Sequence, residues 1–207
     1  MKNMFVLAVV VMCSIFLVSF ASDDASGNLP STLWQIKSDQ PEVREAAVAA
    51  IVNFRNQAIE EAEMIIRGFD GQDANRKIVK DAILLLGRLE CQHSIPLLAD
   101  RLTFFVIIVE NVTFAKVRAG YRGPALESVY PCVQALIDIG LPSVDPLIEK
   151  VKNDDDKTVI LCAGKVIKTV LGKDSAVEYL TWKMGKESDE VKKTRLFRLV
   201  EHISADQ

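Results

Sequence analysis

Along this chain, four small residues, Ala47, Ala82, Cys132 and Ala163, sit at the centre of the same apolar spacing. Val43, Ile78, Ser128 and Val159 stand four positions before them, and Ile51, Leu86, Leu136 and Ile167 four positions after. A second stripe follows each time. It begins at Ile59, Ile95, Val144 and Val177, continues three residues on at Ala62, Leu98, Leu147 and Leu180, and seven on at Ile66, Leu102, Val151 and Met184. Apolar residues at i, i+3, i+4 and i+7 share one face of a helix, and recurrence every few dozen residues marks stacked helical units. The spacing predicts first helices over roughly 41–54, 75–88, 125–139 and 157–171, and second helices over roughly 58–68, 94–104, 143–152 and 175–186.

Polar and helix-breaking residues fall where those boundaries require them. Ser38 or Asp39 can cap the helix that opens at Pro41, where a missing N–H costs nothing. Asp73, Asp156 and Ser188 stand at the next cap positions, and Gly87, Gly140 and Gly172 at or near helix ends. Pro96, Pro142 and Pro146 lie in or before first turns, where proline is tolerated; Pro131 falls deeper inside a drawn helix, so that helix is either kinked or starts later.

The Pro-Glu-Val-Arg-Glu-Ala-Ala run at 41–47 and the Ala-Leu-Ile-Asp-Ile-Gly run at 135–140 resemble the HEAT repeat, chiefly its short bacterial form, over about residues 40–187. The resemblance implies an all-α chain: a right-handed α-solenoid of about four HEAT-like helix pairs, whose second helices line the concave face. It constrains function poorly, because HEAT-like arrays serve as scaffolds, transport receptors, a few DNA-repair enzymes and pigment lyases. The segment 188–203 reads as a C-terminal capping helix, since Arg195 occupies its small-residue slot.

The small-residue slots are separated by 35, 50 and 31 residues, so the middle interval carries an insertion, near 105–123. Its β-branched runs read as either a short hairpin or a helix extension followed by a loop. Phe114, Lys116, Arg118, Tyr121 and Arg122 concentrate there, and with Trp182 they are the candidate partner-binding residues. Asn111-Val112-Thr113 fits an N-glycosylation acceptor.

The amino terminus carries a different pattern. Lys2 precedes an apolar run from Met4 to Phe20 that closes on Ser19-Phe20-Ala21, the form of a secretory signal cleaved after Ala21. Residues 22–32 then form a polar linker and 33–205 the repeat domain. The expected localisation is exported, secreted or periplasmic, and soluble after cleavage, with a membrane contact only if the run is kept as an anchor. Removing residues 1–21 takes one lysine and no acid from a chain of net charge −3. An acidic surface excludes nonspecific nucleic-acid binding, which needs a basic face.

Candidate chemistry is sparse. The two histidines, His93 and His202, lie far apart; Cys91-Gln92-His93 has no second ligand pair at zinc spacing, and Asp154-Asp155-Asp156 lacks the glycine and glutamate of a calcium loop. No metal or cofactor is expected. Cys132 and Cys162 read as small buried residues, with a bridge between them left open, and Cys91 as a loop residue that could be exposed. The reading is an exported non-catalytic protein-interaction module, a scaffold or adaptor, binding a protein partner through the concave face or the inserted loop. The alternatives are a structural subunit of a larger exported complex, or a HEAT-like lyase or hydrolase.

Overall fold

The computed structural model describes residues 35, 40–72, 75–106 and 126–205. All regular structure among them is helical. The helices are α1 (Pro41–Arg67), α2 (Arg76–Arg88), α3 (Ile95–Asp100), α4 (Leu126–Val129), α5 (Pro131–Ile139), α6 (Val144–Asn153), α7 (Lys157–Leu171), α8 (Lys173–Lys186) and α9 (Glu190–Ala205). The chain divides into two compact units, Met1–Gly68 and Phe69–Gln207.

In the first unit, α1 runs unbroken through the place where the spacing predicts two helices. Asn53-Phe54-Arg55-Asn56-Gln57 contains neither glycine nor proline, so nothing there terminates a helix. Pro41 opens it as expected, while its N-cap is Gln40, without a side-chain cap bond. Ala47, Ile59, Ala62 and Ile66 are buried.

In the second unit, α2 packs on α5, α5 on α7 and α7 on α9, while α3 lies against α5 and α6, and α9 also closes on α6 and α8. The small-residue slots Ala82, Cys132 and Ala163 lie in these contacts and are buried, as are Leu86, Leu136 and Ile167 four residues on. The position four residues earlier is less regular: Val159 is buried, but Ile78 is 54% exposed and Ser128 is exposed. On the second helices every stripe position of this unit is buried except Val177 and Met184, which are half-buried. Pro131 resolves as the first residue of α5, after the one-turn α4.

Two glycines make the corners. Gly140 and Gly172 both have φ +81°, a backbone state that side chains disfavour. Gly172 closes α7 and opens α8 with no loop between, its N–H donating to the Lys168 carbonyl and its own carbonyl accepting from Ala176 N–H. Gly87 lies near the end of α2, as expected, and is buried there, where an added Cβ would come within 2.5 Å of Ala135 Cα on α5. The end of α2 is made by Glu90, the non-glycine residue with positive φ among those described.

Of the expected caps, Asp156 accepts from Thr158 N–H at 2.7 Å. At α9 the cap is Asp189 rather than Ser188, accepting from Val191 and Lys192 N–H. Asp73 lies outside the described residues. Cys132 and Cys162 are free and fully buried, so no bridge joins them, and Cys91 is buried rather than exposed, its Sγ 2.9 Å from Ser94 Oγ.

Candidate functional site

A groove of about 470 Å³ opens where the α5–α6 turn meets the α7–α8 corner, lined by Leu141, Val144, Asp145, Leu171, Glu178, Tyr179 and Trp182. Its geometry follows from the two glycine corners. After Gly140, Leu141–Ser143 makes a single 3-10 turn, and the buried Ser143 hydroxyl donates to the Leu136 and Gly140 carbonyls at 3.0 and 2.7 Å. That turn leaves Leu141 at the lip, 67% exposed, and sets Val144 and Asp145 in the first turn of α6. The corner at Gly172 places Leu171 on the opposite side. Along α8, Leu180 is fully buried while Trp182 is 51% exposed, and residues 178, 179 and 182 lie close together on the helix surface.

Polar bonds to Asp145, ring stacking and cations over the rings hold the aromatic wall. The Tyr179 hydroxyl donates to Asp145 Oδ1 at 2.8 Å, and Lys183 Nζ reaches the same oxygen at 3.0 Å. The Tyr179 and Trp182 rings are stacked, with centroids 5.9 Å apart and planes 15° off parallel. Lys186 Nζ lies 4.0 Å from the Trp182 ring centroid, and Lys183 Nζ 5.3 Å from that of Tyr179. Stacking of this kind is worth about 0.5–1.5 kcal/mol and an exposed cation over a ring about 0.5–1 kcal/mol. Burial pushes the Asp145 carboxyl up, but the hydrogen bonds from Lys183 and Tyr179 outweigh it and hold the group below its ordinary value. Lys183 is correspondingly raised, first by its bond to Asp145 and then by Tyr179. An acid kept ionised in this way anchors the wall and is poorly suited to giving up a proton near neutrality.

Of the sequence candidates, Trp182 stands in this groove. Phe114, Lys116, Arg118, Tyr121, Arg122 and the glycosylation candidate Asn111 lie outside the described residues. The chain on either side of that segment is tied together, because Val106 N–H donates to the Val129 carbonyl at 2.9 Å. Beside this tie the Arg76 guanidinium lies over the rings of Phe69, Phe104 and Phe105, and donates to the Phe105 carbonyl. Tyr179, Asp145, Glu178 and Leu141 were not singled out by sequence reasoning. The 179/182/183/186 spacing carried a signal, since i, i+3 and i+4 neighbours on one helix face can stack and pair.

Among the described residues no group of three or more His, Cys, Asp or Glu is placed to hold a metal ion. The three consecutive aspartates have separate partners: Asp154 pairs with Lys150, Asp155 with Arg198, and Asp156 caps α7. Among the described residues no helix is long and apolar enough to cross a membrane. The chain matches no protein-family model and no curated protein.

Proposed function

We propose that the chain is an exported, non-catalytic protein-interaction module, and that its helices form a right-handed α-solenoid of HEAT-like pairs closed by α9. The observation that carries the reading is the groove itself. Trp182 is a large aromatic left half in solvent, yet it is stacked on a tyrosine that is in turn tied to Asp145. Exposed, pre-ordered tryptophan and tyrosine are the usual anchors of protein interfaces, because they bring contact area without further loss of side-chain freedom. Both residues sit on a second helix, the layer that HEAT-like stacks turn toward their concave face. The packing of α2, α5, α7 and α9 in chain order supports the solenoid reading. Export rests on the residues 1–21 pattern.

One experiment reads both parts. The full chain is expressed, cross-linked in place and recovered from the exported fraction, and mass spectrometry reads its amino terminus and the peptides linked to it. Ser22 should be the terminus, and a discrete partner should cross-link to the wild type and fall at least ten-fold with Trp182→Ala. An intact Met1 in washed membranes would replace export by anchoring. Undiminished cross-linking of the Trp182→Ala chain would move the interaction off this groove.

A further inference from the structure

The charge on the groove wall narrows what it can hold. Two ionisable acids line it, Asp145 and Glu178, and the cations beside it, Lys183 and Lys186, lie over its rings. Asp145 is engaged by Lys183 and Tyr179. The Glu178 side chain has no hydrogen bond or ion pair among the described residues. It stands on the exposed side of α8 four residues before Trp182, so carboxylate and indole are neighbours on the helix, and it lines the same groove as Tyr179. The rings already attract cations: Lys183 lies over Tyr179, and both Lys183 and Lys186 lie over Trp182. Lys186 is itself exposed, a flexible side chain resting on an aromatic face that a partner can take over.

We infer that the groove takes an arginine side chain from an extended segment of the protein partner, its guanidinium forked onto Glu178 and laid on the Tyr179–Trp182 pair. This rests on the interaction reading above. Arginine fits better than lysine for two physical reasons. Its planar guanidinium is weakly hydrated and stacks on aromatic faces, and its paired donors match a carboxylate. The apolar residues Leu141, Val144 and Leu171 then cover aliphatic side chains flanking the arginine. Lys186 acts as a stand-in for that cation until the partner displaces it.

The test uses the mature chain carrying Trp34→Phe, which leaves Trp182 as its single tryptophan. It is titrated with four acetylated, amidated pentapeptides, Gly-Leu-Xaa-Leu-Gly, in which Xaa is arginine, lysine, citrulline or glutamate, and Trp182 fluorescence is followed. Arginine should bind about ten-fold more tightly than citrulline, its neutral isostere, with lysine between them and glutamate weakest. Glu178→Gln should shrink the arginine–citrulline gap to under about two-fold, whereas Lys186→Met should tighten arginine binding by removing the competitor. Both variants alter exposed side chains, and unchanged helical circular dichroism checks each fold. Equal binding of arginine and citrulline, preference for glutamate, weaker arginine binding in Lys186→Met, or no saturable change with any peptide would each overturn the arginine assignment. Equal peptide binding would still leave the groove as a docking surface. Failure of that broader reading shows separately, as cross-linking that ignores Trp182→Ala.

Discussion

Glu90 shows how much a single backbone position can hold. It sits eight residues after the slot at Ala82, as Gly140 does after Cys132, and has φ +49° where Gly140 has +81°. Its N–H donates to the Gly87 carbonyl and Cys91 N–H to the Leu86 carbonyl, the paired bonds that close a helix through a left-handed residue. An L side chain in that conformation costs about 1–2 kcal/mol relative to glycine, partly offset by the freedom glycine loses on folding. Glu90 is exposed, so removing its side chain forfeits little packing. Glu90→Gly should therefore stabilise the fold by about 1 kcal/mol, read as a higher urea midpoint at unchanged slope. A lower midpoint would mean that the Glu90 side chain contributes more than the backbone strain it causes. The buried serines Ser94 and Ser143, each ending a 3-10 turn before a second helix, repeat in the same way and escaped a reading built on apolar spacing.

At the scale of elements, the sequence was legible wherever the apolar stripe and a chain-reversing residue agreed. Lys157–Leu171 matches the range that spacing and caps predict, because Asp156 and Gly172 both act at its ends. The break predicted between residues 54 and 58 had spacing alone behind it, and α1 is continuous there. Gly87 does stand near the end of α2, but it has a second use that a helix-end signal does not reveal, since glycine also permits close approach between helices. The structure separates the two roles, and one substitution at two sites tests the difference. Gly87→Ala places a Cβ 2.5 Å from the Ala135 backbone, which must move, so a destabilisation of roughly 2–3 kcal/mol is expected despite the gain in helix propensity. Gly185→Ala, on the exposed side of α8 with nothing within 4 Å of the new Cβ, should instead stabilise by about 0.5–1 kcal/mol. Thermal melts of the pair should move in opposite directions, and shifts of the same sign would show that α2 and α5 do not cross as closely as described.

For the whole molecule, the site was half legible. Trp182 stood out because its neighbours Leu180 and Met184 belong to the inward stripe. Asp145 and Leu141 could not be paired with it from sequence, since they lie some forty positions earlier and meet it only through two glycine corners. The same long-range pairing fixes how stability responds to pH. Glu127, Asp145, Asp154 and Glu187 are all held below their ordinary values of 4.5 and 3.8. For Glu127 and Asp145 burial opposes the shift and lysine hydrogen bonds overcome it; for Asp154 the Asp156 N–H leads, and for Glu187 the bond to Lys152. A depressed carboxylate contributes stability that is present above its unfolded value and lost as pH falls through the folded one. On the alkaline side burial pushes both thiols up from 9.0, Cys162 to about 12, so the unfolded chain ionises first and stability falls as pH rises past about 9. Lys152 and Lys183, raised from 10.5 by their carboxylate partners, extend that loss at higher pH. Melting temperature should thus be level between about pH 5 and 9 and fall on both sides. The double variant Cys132→Ala and Cys162→Ala should flatten the decline between pH 9 and 10.5, whatever its melting temperature at neutrality, while leaving the acid limb in place. An alkaline limb as steep as in the wild type would mean that these two thiols are not what the folded state keeps protonated.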